Sequence, residues 1–142
     1  MPTQNYQNHS RYVPLFHFII LPVLLAVIIG SIVNLFHSAP ENRYSACLIL
    51  VIAIVLFLLC FLVRGFALRA QDRAIRAEEN FRHFVLTGKP LSSSLTMGQV
   101  IALRIASDEE FAILAKKAVD ENLNSKAIKE AIKNWRPDNH RA

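Results

Sequence analysis

Two apolar stretches without a single formal charge constrain this chain most: Leu15 to Phe36 and Ser45 to Val63 contain no Asp, Glu, Lys or Arg. A helix needs ~20 apolar residues to cross the ~30 Å hydrocarbon core of a bilayer, so each stretch is about long enough to span. Within lipid, backbone polar groups must be satisfied inside the segment, which makes both stretches helices. A chain of 142 residues that is 53% hydrophobic is also more apolar than most soluble domains of its size.

The first stretch lies near the N-terminus, where a cleaved signal peptide is the alternative. Its apolar run exceeds the ~7–15 residues of a signal core. Only Arg11 precedes it, and no A-x-A-like site follows before Pro40. The expectation is a retained span. Cys47 and Cys60 both fall in the second stretch, ~20 Å apart along a helix, too far to pair with each other. They read as small apolar residues.

Charge sets the orientation. Residues 1–14 carry one Arg, and the loop 37–44 is neutral, with Glu41 and Arg43. Residues 64–89 hold six basic residues against three acids, whereas residues 90–142 hold eight against seven, so the net charge of +5 is concentrated directly after the second stretch. This is the positive-inside pattern, which places the C-terminal half in the cytoplasm and, with two spans, the N-terminus as well. Arg64, Arg69, Arg73 and Arg76 are the expected contacts for anionic lipid headgroups, each worth ~1 kcal/mol near the surface. Nucleic-acid binding would need basic residues with interleaved aromatic platforms in the distal region, and the distal region is close to neutral.

In the first span, Pro22 predicts a bend. Gly30 and Asn34, one turn apart, are candidate positions for close helix contact. The second span has no stop signal at its charged end, so its helix continues to Thr87, where Gly88 and Pro90 terminate it. Along that extension Val63, Ala67, Ala70, Ala74, Ala77, Phe81 and Phe84 recur at steps of 4 and 3, a heptad seam suited to a second helix from the same chain or another copy. Asp72 with Arg76 and Glu78 with Arg82 have the spacing of stabilising pairs.

Beyond the linker 88–95, Thr96 to Gln99 and Ser107 to Glu110 read as capping boxes opening two helices. Ser125 is the expected cap of a third, carrying Ile128, Ala131, Ile132 and Trp135 on one face. Three short helices make a core too small to stand alone and should dock on the juxtamembrane helix near Phe81 and Phe84, or on a second copy. The expected fold is all-α: a two-helix transmembrane hairpin, the second span extended into a cytoplasmic helix, then a small three-helix cytoplasmic region. The boundaries are 1–14, spans 15–36 and 45–63 around a loop 37–44, juxtamembrane helix 64–87, linker 88–95, helical region 96–136 and tail 137–142.

The strings QDRAIRAEENFRHFVLTGKPL, LRIASDEEF and IKEAIKNWRPDNHR, with QNYQNHSRYVPLFHF and GSIVNL near the start, resemble a family of small two-span bacterial membrane proteins of unknown function. The resemblance implies a bacterial inner-membrane location and carries over no activity, cofactor or catalytic residue. From the residues themselves, no paired acids, histidines or cysteines lie within either span, and Asp108, Glu109 and Glu110 read as first-turn acids that complement a helix dipole. A catalytic site, cofactor or metal is therefore not expected. A membrane-anchored interaction or scaffold module, possible homo-oligomer included, is the leading reading, with a small oligomeric transport subunit and a membrane enzyme as alternatives.

Overall fold

A computed structural model describes residues 13–136. Among them the regular structure is helical, and the chain divides into two compact units, one holding Tyr12–Ala67 and one holding Leu68 onward.

In the first unit, helix α1 spans Leu21–His37 and is entered through a wide π turn, Leu15–Ile20. Pro22 explains the turn. It has no N–H to donate, and its ring crowds the preceding carbonyl. Widening the helix moves the acceptors by one residue, so that the Leu21 N–H donates to the Phe16 carbonyl.

A short 3₁₀ turn, Pro40–Asn42, leads into helix α2, Arg43–Thr87. At 45 residues it runs ~68 Å. Gly65 does not interrupt it, and no atom lies within 4 Å of a Cβ built there. The end falls where expected: Gly88 takes φ +71 and its N–H donates to the Phe84 carbonyl at 2.8 Å, the left-handed C-terminal geometry that glycine adopts without strain.

Both helices of the first unit are long and apolar enough to cross a membrane. Phe16 meets Phe61 edge to face at 6.4 Å, and the Arg64 guanidinium sits 4.7 Å over the Phe16 ring, which brings the start of the first stretch against the end of the second. The buried residues are Ser31, Ala46 and Ala53, each 5% exposed or less. Leu50, Phe57, Cys60 and Arg64 are half-buried and continue the spacing of Ala46 and Ala53 at steps of 4 and 3. Small residues let the backbones approach, which matters where packing rather than water drives association. Ser31 satisfies its own hydroxyl through the Val27 carbonyl at 2.7 Å.

The second unit contains the latter half of α2 with α3 (Met97–Leu103), α4 (Asp108–Asp120) and α5 (Ser125–Ala131). The Thr96–Gln99 capping box forms in both directions. Three local expectations are corrected. Ser107 makes no side-chain cap, because its hydroxyl donates to Glu109 at 3.0 Å. The α5 cap is Asn124, one residue before Ser125, and its side chain accepts from the Ala127 N–H. Nor does the last helix reach Trp135. It ends at Ala131, after which the chain is extended and pairs with the α3–α4 connection: Arg136 N–H donates to Ile105 O at 2.8 Å and Ser107 N–H to Asn134 O at 3.1 Å. The proline at position 137 favours this extended approach.

Phe111, Leu103, Ile128 and Val100 are the largest fully buried side chains. They form one cluster with Leu95, Leu114, Ile132 and, from α2, Ile75, and Trp135 packs against its edge. At Gly98, where an added Cβ would lie 2.8 Å from the Ser125 Oγ, α3 and α5 approach closely.

Candidate functional site

On α2, Gln71, Ile75, Glu79 and Arg82 recur at helical spacing and are buried or half-buried, so this largely polar face is the one the distal helices cover. At its centre is Arg82. Its Nε and Nη2 donate to Asp108 Oδ1 at 2.7 and 2.6 Å, Nη1 reaches Glu79 Oε2 at 3.1 Å, and Nη2 donates to the Ala106 carbonyl at 2.7 Å. The guanidinium also lies 4.3 Å over the Phe111 ring. The Ala106 carbonyl, just past the end of α3, and the acid opening α4 are both anchored by this one side chain, which holds the α3–α4 corner to α2. Half-buried Arg104 adds a pair with the exposed Glu78 at 3.0 Å.

Glu79 is 4% exposed. Burial pushes its carboxyl above the ordinary 4.5, opposed by the hydrogen bond and positive charge of Arg82 and more weakly by Arg104 and Arg136. The spacing-based pairing of Glu78 with Arg82 is therefore corrected: Arg82 takes Glu79, three residues back, and Glu78 takes Arg104. The carboxylate of Glu110 accepts from the backbone N–H groups of Lys133 and Asn134 and from the Asn134 amide, stapling the C-terminal segment to α4. His83 Nδ1 lies 2.8 Å from the Lys89 carbonyl, bracing the helix end. Among the described residues, no group of three or more His, Cys, Asp or Glu side chains is arranged to hold a metal ion.

The residues singled out from sequence fall into different surroundings. Arg69 and Arg73 are exposed. Arg64 is half-buried over Phe16, and Arg76 is half-buried with Nη2 donating to the Leu95 carbonyl at 2.8 Å. Gly30 and Asn34 are exposed, with nothing within 4 Å of a Cβ placed on Gly30, whereas the neighbouring Ser31 is buried. Ala67, Ala70, Ala74 and Ala77 are exposed, as are Val63, Phe81 and Phe84. On a helical wheel this seam is centred roughly 135° from Ile75, Glu79 and Arg82, on a separate face of the helix. The distal helices thus dock on the juxtamembrane helix of their own chain, one of the two expected arrangements, but through its polar face, which leaves the alanine seam with Phe81 and Phe84 exposed.

Sequence reasoning missed the Glu79–Arg82 clamp. Its covered face carries one aliphatic residue among polar ones, so no apolar stripe marks it. The repeat through Ala46, Leu50, Ala53, Phe57, Cys60 and Arg64 was open to detection, since Ala46 and Ala53 are a heptad apart in a run of larger residues.

No curated protein and no solved structure matches the chain. Over residues 1–142 it matches a family of unknown function, DUF6526, and it belongs to that family.

Proposed function

We propose that this member of DUF6526 is a non-catalytic, membrane-anchored interaction module of the bacterial inner membrane. Two spans hold it as a hairpin with both termini in the cytoplasm, and the helical region from Leu68 onward is its working surface. The observation that carries this reading is the division of labour on α2. One face of the helix seats the distal helices through Arg82, while a separate face leaves Ala67, Ala70, Ala74, Ala77, Phe81 and Phe84 exposed. Copies anchored in one membrane face the same way, so a parallel pairing of these seams is the simplest partnership. The basic residues after the second span, led by Arg69, hold the base of the helix at anionic headgroups.

Single-cysteine variants in a background lacking Cys47 and Cys60 test both halves of the proposal in native membranes. A thiol at Ser38 should react with an impermeant reagent added to intact cells, and one at Ser93 should not. Labelling of Ser93 from outside refutes the orientation. Thiols at Ala70 and Ala77 should crosslink between copies, and Ala74→Leu should disturb that crosslinking, whereas a thiol at Glu130 should not crosslink. A monomeric mass in several mild detergents together with no crosslinking in membranes removes the seam as the working surface.

A further inference from the structure

Between the occupied face of α2 and its bare seam runs a cationic flank. Arg73, Arg76 and Asn80 stand there at i, i+3 and i+7, and with Ser92 and Ser93 of the linker they line an open cleft of about 390 Å³. That volume lies at the lower end of the range for small-molecule sites. Among the described residues no carboxylate lines the cleft, so its lining carries two guanidinium groups and no acid.

Several of the donors are already fixed in place. Arg76 is half-buried and tethered through Nη2 to the Leu95 carbonyl at 2.8 Å, which holds the rest of its fork against the cleft. Asn80 uses Oδ1 to accept from the Leu91 N–H at 2.8 Å, and its amide NH₂ remains a donor. The Ser92 hydroxyl lies 2.8 Å from that of Ser94 and accepts from the Ser94 N–H, which shapes the turn. Among the described residues, the side chains of Arg73 and Ser93 make no hydrogen bond or ion pair. A ligand therefore meets one restrained guanidinium, one free guanidinium, an amide and a hydroxyl, with no acid to repel it.

We propose that this cleft is a phosphate-binding site, with Arg73 and Arg76 supplying charge and Asn80 and Ser93 supplying neutral donors. Guanidinium forks match the paired oxygens of a phosphate, and such charge-assisted bonds are roughly twice as strong as neutral ones. Two sources present this chemistry: a soluble phosphate monoester, or the headgroup of an anionic phospholipid. The lipid source rests on the membrane reading above, and the soluble source does not.

The test uses the full chain in nanodiscs. In phosphatidylcholine discs, calorimetric titration with glycerol phosphate reads the soluble source. In discs doped with phosphatidylglycerol, enrichment of that lipid around the protein, followed by phosphorus NMR, reads the headgroup. Arg73 is exposed and unpaired, so Arg73→Gln should leave the fold intact, which Trp135 fluorescence verifies. It should weaken the operative interaction about tenfold or more, the scale of one lost charge-assisted hydrogen bond. Lys117→Gln removes the same formal charge at a side chain that does not line the cleft and should change binding less than about twofold. Saturable binding of glycerol phosphate with this pattern assigns a soluble ligand, and the pattern confined to phosphatidylglycerol assigns a headgroup. Absence of binding in both arms, or equal losses in Arg73→Gln and Lys117→Gln, overturns the site. Because topology is read separately by thiol labelling, failure here is distinguishable from failure of the membrane anchor.

Discussion

The two units of this chain are packed in opposite senses. Up to Ala67 the buried side chains are small, Ser31, Ala46 and Ala53, while Ile29, Leu58, Leu62 and many like them face outward. From Leu68 onward Phe111, Leu103, Ile128 and Val100 are fully enclosed, and charged residues cover much of the surface. The same helix, α2, takes part in both arrangements. Burial of large apolar groups is the main source of stability only where the alternative is water. Where the alternative is hydrocarbon, large residues gain nothing by turning inward, and small ones at the contact gain by close approach. The contrast is what a change of solvent along one helix would produce, and it supports the membrane reading of the first unit.

The sharpest way to break this comparison is to make the same kind of truncation in each unit. Phe111→Ala removes a fully buried ring together with the surface on which the Arg82 guanidinium lies, and should cost about 3–5 kcal/mol. Chemical unfolding of the full chain in nanodiscs, followed by the fluorescence of Trp135, measures it. Leu58→Ala in the first unit, at a position 61% exposed, should cost less than about 1 kcal/mol in the same discs. Equal losses at the two positions would mean that both units face the same solvent, and the comparison would fail.

Enlarging a residue should show the reverse asymmetry. Ala53→Leu forces bulk into a buried position of the first unit and should cost about 1–3 kcal/mol. Hydrogen exchange of the amides in α1 and the first half of α2 reports it. Ile52→Leu, one position away and exposed, should be silent in that measurement. An unchanged exchange pattern in Ala53→Leu would show that the small residues are not what brings α1 and α2 together.

How much could be read from the sequence follows the same division. The two apolar stretches, the continuation of the second into a long helix, its end at Gly88 and the Thr96 cap all rest on local chemistry, and local chemistry is written in consecutive residues. The docking of α3, α4 and α5 was less legible, because it depends on which of several faces of α2 is occupied. The most regular pattern, Ala67 to Phe84, pointed to the seam, yet the occupied face is held by charge and carbonyl contacts to Arg82 that leave no hydrophobic period. The extended segment after Ala131 was hidden for a related reason: Ile132 and Trp135 continue a helical spacing, but Ile132 is buried and Trp135 half-buried on a segment that pairs with Ile105 to Ser107 across a long sequence separation. For the site residues, spacing grouped Arg69, Arg73 and Arg76 correctly on one side of a helix, but could not reveal that Leu95 would engage Arg76.

The smallest expected effect sharpens the comparison through pH. Among the described residues the buried carboxyl is that of Glu79, in the second unit, and burial raises its affinity for a proton above the ordinary value of 4.5 while Arg82 opposes the rise. Between 4.5 and the higher folded value, the folded chain therefore binds more protons at this group than the unfolded chain does. Stability then increases as pH falls through that window, and the contribution is lost as pH rises past the folded value. Glu79→Gln cannot titrate but keeps an acceptor near Arg82. Thermal unfolding read by Trp135, from about pH 7.5 down to about pH 5, should show the wild-type midpoint rising relative to the variant as the solution is acidified. The Arg82 pair with Asp108 is present in both proteins and cancels in the difference. Exchange of the amides in α1 should show no such dependence, since no acid lies in either apolar stretch. A difference between wild type and variant that stays flat, or that favours the wild type at the higher pH, would mean that Arg82 outweighs burial at Glu79 and that the clamp acts as an ion pair at every pH in the range.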